Sequence, residues 1–146
     1  MSEKRKIVVL CGSSRFVQEM AVAAWLLERD EGAITMGLHL LPYWYGDIPD
    51  HLAEHEGVAD KLDNLHLDKL AAAATLAQQF PGTWGPAEVF VVDRHDYIGE
   101  STIREIERAK KFGMPIRYYS NDPIGKKVEV LRFRSQEELC SWRNQI

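Results

Sequence analysis

The sequence has little cysteine, no long apolar run and no excess of positive charge, and each shortage excludes something. Its two cysteines, Cys11 and Cys140, make neither a metal-ligand spacing nor a disulfide framework, which fits a reducing cytoplasm. Cys11 reads as a reactive thiol near a helix start or, more simply, as a small buried apolar residue. The apolar run Ile7 to Cys11, behind Ser2-Glu3-Lys4-Arg5-Lys6, is too short for a signal peptide or a membrane span. Lys and Arg number 18 against 22 Asp and Glu, a net charge of -4, and no basic stripe offsets it. A nucleic-acid polymer is therefore not the expected partner. The basic cluster of Lys126, Lys127, Arg132 and Arg134 reads as the solvated edge of a strand. His51 and His55 have the spacing of a metal pair, but Pro49 and the loop setting give them no helix. With His39 they supply no credible third ligand, and no metal or redox cofactor is expected.

What remains is ordinary globular material, 45% hydrophobic and 27% charged in 146 residues, sized for one domain spanning 1–146. Ile7 to Cys11 reads as a buried strand and Phe16 to Arg29 as a helix. Ile34 to Leu41 makes a second strand, and Pro42 to Gly57 a long loop. A helix follows over Val58 to Gln79, with Val58, Leu62, Leu65, Leu70, Ala73 and Leu76 inward. Glu88 to Val92 is the third strand, Ser101 to Phe112 a helix stopped by Gly113 and Pro115, and Ile116 to Tyr119 the fourth strand. Val128 to Phe133 reads as a fifth strand and Ser135 to Trp142 as a last helix, capped by Ser135 with Glu138. The alternation implies one Rossmann-like or flavodoxin-like α/β domain. Its five-stranded parallel sheet would run 2-1-3-4-5, with helices on both faces.

Two strand-to-helix turns carry the chemistry. In the first, Gly12-Ser13-Ser14-Arg15, glycine allows a tight turn whose amides, hydroxyls and guanidinium suit a phosphate at a helix start. It lacks the glycine spacing of a Walker or dinucleotide loop. Ser13 or Ser14 as a plain N-cap, with Arg15 solvated, explains it equally well. The second runs Tyr97-Ile98-Gly99-Glu100-Ser101-Thr102-Ile103-Arg104-Glu105. Thr102 and Glu105 have capping-box spacing, yet a carboxylate in the first turn facing the same crevice could also act on a sugar carbon. Tyr43-Trp44-Tyr45 could stack on a nucleobase, pin its loop or meet a second subunit. Asp93-Arg94-His95-Asp96 reads as a solvated rim with Asp93 in a turn, or as a proton donor to a leaving base.

The segments Leu10 to Arg15 and Tyr97 to Ile106, with Ala109, resemble the nucleoside 2-deoxyribosyltransferase-like superfamily. The relatives include nucleoside deoxyribosyltransferases and 2′-deoxynucleoside 5′-monophosphate N-hydrolases. The resemblance implies a glycosidic hydrolase or transferase acting on a nucleotide without a cofactor. Glu105 would be the catalytic glutamate, and Gly12, Ser13, Ser14 and Arg15 the 5′-phosphate turn. Gly99 and Ser101 would line the sugar; Tyr43 and Trp44 are offered for the base by their aromatic faces and not by the resemblance. Gly99 stands where the transferases carry a carboxylate for the free 5′-hydroxyl, which suits a phosphate beside Arg15. The hydrolases carry an aspartate on the preceding helix, and His66 falls nearest to it, with Asp63 and Asp68 as alternatives. Val9 stands where they tend to carry tyrosine. The resemblance also implies a homodimer whose neighbouring subunits complete each site.

Overall fold

The computed structural model describes residues 4–37 and 57–132. Among these residues the sheet comprises β1 (Arg5–Gly12), β2 (Ile34–Gly37), β3 (Trp84–Val92) and β4 (Ile116–Tyr118). All pairings are parallel, in the order β2-β1-β3-β4. The helices are α1 (Val17–Glu31), α2 (Ala59–Gln79), α3 (Glu100–Lys111) and α4 (Pro123–Arg132). Strand order reverses between β1 and β3, so the switch-point crevice lies beyond their carboxyl ends.

The period of two along β1 and β3 sorts the core into two layers. Val8 and Leu10, with Phe90 and Val92, face α1 and α4 and pack with Met20, Leu26, Leu27, Val128 and Leu131. Ile7, Val9 and Cys11, with Val89 and Val91, face α2 and α3 and pack with Leu70, Ala73, Ile106 and Ala109. Full burial of a side chain such as Leu10 or Phe90 contributes about 1.5–3 kcal/mol. The two-sided burial is why these strands read as continuous apolar runs.

The sequence-based expectations need four corrections here. Among the described residues the sheet has four strands, not five, because residues 123–132 form helix α4 where 128–133 was expected to be a strand. Asp122 caps that helix, accepting the Ile124 amide at 2.9 Å, and Pro123 sits at its first position. Lys126 and Lys127 are thus helical and not a strand edge. Strand β3 begins at Trp84 and includes Pro86, earlier than the expected Glu88. In α2, Leu65 and Leu76 are exposed while His66, Leu70, Ala73 and Ala74 are buried, so part of the inward stripe turns away from its expected position. That rotation carries His66 into the core. The expected loop 42–56, the final helix 135–142, His39, His51, His55 and Cys140 lie outside the described residues.

An ion-pair cluster ties the α1 side to the sheet. Arg117 on β4 contacts Glu31 and Glu88 at 2.8 and 3.0 Å and Asp122 at 2.9 Å. Lys6 meets the same Glu31 at 2.6 Å and Glu88 at 3.2 Å. Hydrogen bonding from Arg117 holds the Glu31 carboxyl down to about 2 against the opposing effect of burial, and Lys6 reinforces it. A lowered folded pKa adds stability that is present above the unfolded value near 4.5 and lost as pH falls toward 2. Glu31→Gln is expected to cost about 1–2 kcal/mol at pH 7, the surface exposure of the cluster trimming the effect. Urea unfolding between pH 5 and 2 should show a shallower acid loss in the variant. Parallel curves would contradict the assignment.

Candidate functional site

Helices α2 and α3 each set one ionisable residue into an otherwise apolar inward stripe. In α3 that stripe is Thr102, Glu105, Ile106 and Ala109, the i, i+3, i+4, i+7 spacing of a buried face. In α2 it is His66, Leu70, Ala73 and Ala74. The two stripes meet over the carboxyl end of β1. There the His66 Nδ1 lies 3.9 Å from Glu105 Oε1, and the buried Cys11 thiol borders the same carboxyl. Glu105 is 1% exposed and His66 6%. A leucine in either place would pack without the cost of desolvating a polar group, so burial alone does not explain the pair.

Burial pushes the Glu105 carboxyl up to about 8, opposed by hydrogen bonding from Cys11, with Asp63 adding repulsion and Arg104 attraction. Burial also lowers His66 below the ordinary histidine value, with Lys69 acting in the same sense and Asp63 against it. Burial drives the Cys11 thiol well above its usual range, and Glu105 adds to this, so Cys11 is held as a thiol. This corrects the reactive-thiol alternative. Burial thus moves the two groups in opposite directions, disfavouring the charged form of each.

The capping-box reading of Glu105 fails. Gly99 is the N-cap of α3, with extended φ and ψ of -78° and 168°, and no side chain caps the helix. Glu105 therefore sits in the second turn, not the first, and faces the sheet. The Thr102 hydroxyl is buried and has no hydrogen-bond partner among the described residues. Ser101 and Gly99 are half-buried at the helix entrance.

The first turn combines a cap with an ordered arginine. Gly12 ends β1 opposite Val92, and a Cβ there would press on the Val92 side chain and carbonyl at 3.2 Å, a tight approach that a side chain enters only if Val92 gives by a few tenths of an ångström. Ser13 accepts the Arg15 amide at 3.3 Å and caps the short turn Ser14–Phe16. Its hydroxyl does what the simpler reading foresaw. Ser14 is half-buried beside it. The Arg15 guanidinium lies 3.8 Å from the centroid of the Tyr97 ring, which joins the β1 turn to the approach to α3. Arg15 and Glu105 thus belong to the same end of the sheet.

Other candidates separate cleanly. Asp63 pairs with Arg104 at 2.9 Å on the outer side of the helix pair, and Asp68 is exposed. Of the three residues considered for the second proton-handling role, His66 is the one against Glu105. Asp93 opens the turn, as expected, but it is buried, and its carboxylate accepts both the amide and the hydroxyl of Ser120 at 2.8 Å. Arg94 is likewise engaged, forking onto Glu129 at 2.8 and 3.1 Å. His95 and Asp96 both adopt left-handed backbone, φ 59° and 58°, a strained pair on the wall of a recess of about 260 Å³ between this loop and α4. A larger recess of about 420 Å³, lined by Trp84, Pro86, Phe112 and Met114 among others, opens at the amino ends of the strands, away from Glu105. Tyr43 and Trp44 lie outside the described residues.

Sequence reasoning missed Tyr97, and the signal for it was its place two residues before the helix cap. It also missed the Asp93 lock on Ser120, which no local pattern announces. Among the described residues no helix is long and apolar enough to cross a membrane, and no cluster of three or more His, Cys, Asp or Glu could hold a metal ion. The arrangement defines an α/β domain with a parallel sheet and a buried Glu105–His66 pair at the carboxyl end of β1. No protein-family model, curated protein or solved structure matches the chain.

Proposed function

We propose that the chain cleaves the N-glycosidic bond of a nucleoside 5′-monophosphate, releasing free base and sugar 5-phosphate. The reading takes up the resemblance to the nucleoside 2-deoxyribosyltransferase-like superfamily. The observation that carries it is the Glu105–His66 pair, 3.9 Å apart at the carboxyl end of β1, on the side of the sheet where the Arg15 turn also lies. Arg15 and Ser14 anchor the phosphate, so that remote binding energy positions the sugar. The bond from the anomeric carbon to the base breaks with its electron pair going to the base. As positive charge builds on the sugar, Glu105 becomes the carboxylate that faces it, and its proton moves to His66. His66 then protonates the base, water adds hydroxide to the anomeric carbon, and the remaining proton returns to the pair. Gly99 and Ser101 flank the sugar, and Tyr43 and Trp44 cover the base. A neighbouring subunit in a homodimer completes the site, and a second base in place of water makes the reaction a transfer.

The singly protonated pair is the active form in this scheme. Base release from ribo- and deoxyribonucleoside 5′-monophosphates, followed by chromatography across pH 5–10, is expected to show kcat/KM falling about tenfold per unit above pH 8. A rate that climbs through pH 8 would mean that Glu105 acts only as a carboxylate and that His66 donates nothing.

The near-complete burial of Glu105 and His66 favours a second reading, a nucleotide-binding module in which the pair is structural. Monophosphates that bind through Arg15 and are never cleaved would establish it.

A further inference from the structure

Arg15 differs from most of its fellow arginines, Arg108 being the other that holds neither a carboxylate nor a backbone carbonyl among the described residues. Arg29, Arg94, Arg104 and Arg117 each hold a carboxylate, and Arg5 donates to the Gly32 carbonyl. Arg15 has no carboxylate partner among the described residues; its guanidinium is spread over the Tyr97 ring at 3.8 Å. A stacked guanidinium keeps its face occupied and its donor edge free. That edge is what a phosphate or carboxylate reads through paired N–H bonds.

Tyr97 is itself held from behind. Its ring meets Phe16 edge to face, centroids 6.1 Å apart at 74°, and Phe16 is a core residue, 5% exposed. A contact chain therefore runs from the α1-side core through Phe16 and Tyr97 to Arg15, across the switch point between β1 and β3. The ring does not depend on glycine at position 99, where a Cβ would meet it at an ordinary 3.7 Å.

We propose that Tyr97 is a positioning residue for Arg15, holding its guanidinium flat at the crevice as the receptor for a phosphomonoester. The inference rests on the proposed nucleotide reading and deepens it: the preference for a 5′-phosphate over a free 5′-hydroxyl is set by this stack. An exposed arginine otherwise gives up much side-chain freedom when it binds an anion, and the ring has already ordered it. The phenol oxygen has no part in this, so only the aromatic face is needed.

The test titrates ribose 5-phosphate, which has no glycosidic bond to cleave, into the parent protein, Tyr97→Phe and Tyr97→Leu by calorimetry. Leucine keeps an apolar contact for Phe16 and removes the ring. Tyr97→Phe is expected to bind as the parent does, and Tyr97→Leu about tenfold more weakly. With nucleoside monophosphates, Tyr97→Leu should raise KM by a similar factor and leave kcat nearly unchanged. Equal ribose 5-phosphate affinity in all three proteins, or none in the parent, would overturn the inference. Cleavage of monophosphates with equal affinities would leave the glycosidase reading standing and remove Tyr97 from it. Tyr97-dependent affinity without cleavage would keep the receptor and remove the glycosidase.

Discussion

Gly125→Ala is expected to destabilise the protein by about 3 kcal/mol or more, although alanine is the better helix former. An ideal Cβ at position 125 would lie 2.0 Å from the Tyr119 carbonyl oxygen and 2.8 Å from its carbon. Both are backbone atoms, so no side chain can swing aside. Helix α4 cannot retreat cheaply either, because Ile124, Val128 and Leu131 are buried against the sheet. Asp122 pins its start to Arg117, and the Tyr119 hydroxyl donates to Glu129 within the helix. Intrinsic propensity would favour alanine by about 1 kcal/mol, so the sign of the result separates the two effects. Urea denaturation should show a clearly lower midpoint for the variant. An unchanged or higher midpoint would mean that α4 does not press on Tyr119 as described.

Glu105→Gln is expected to raise stability at alkaline pH while removing activity. The folded carboxyl titrates at about 8 against an ordinary 4.5, so the native state keeps a proton that the unfolded chain releases. Between those values the parent loses stability as pH rises, by an amount on the order of 4–5 kcal/mol across the window. An amide has no such proton to keep. Thermal unfolding should therefore place the variant above the parent at pH 8 and bring the two closer near pH 5. His66 works in the other direction: its lowered folded pKa costs stability as pH falls below 6.5, and this limb should survive in the variant. A parent curve that is flat from pH 5 to 8 would contradict the burial of Glu105. A residue whose removal stabilises the fold is one that the fold does not require.

The parts of this architecture visible in the sequence are those set by local pattern. The runs Ile7 to Cys11 and Glu88 to Val92 are buried on both faces, so composition alone betrays them. Helix α3 was legible over 101–112, and its stop from Gly113 and Pro115. Helix α4 was misread because Val128, Val130, Leu131 and Phe133 crowd a short segment that is also consistent with a strand. The spacing Ile124, Val128, Leu131 and the start signal Asp122-Pro123 were the better guides, and the helix is built on them. In the site, Glu105 was singled out with two readings open from its spacing, a cap and a carboxylate at the crevice, and the cap reading is the one that fails. Capping spacing is a local property, whereas Gly99 already serves as the cap and the helix is rotated by its packing on β1 and β3. His66 was legible as a candidate and its inward position was not, because Leu65 beside it is the more apolar residue and yet faces solvent. The Arg15–Tyr97 stack joins residues far apart in sequence, which no periodicity reports.

The central claim, that Glu105 serves chemistry on a glycosidic bond, is tested most directly by one comparison. Parent and Glu105→Gln are incubated at pH 7 with nucleoside 5′-monophosphates, and free base is quantified by chromatography over time. The account predicts steady release by the parent and a rate at least about 10²–10³-fold lower in the variant, with both proteins folded. Equal release by the two proteins, or none by the parent with any monophosphate, would contradict it.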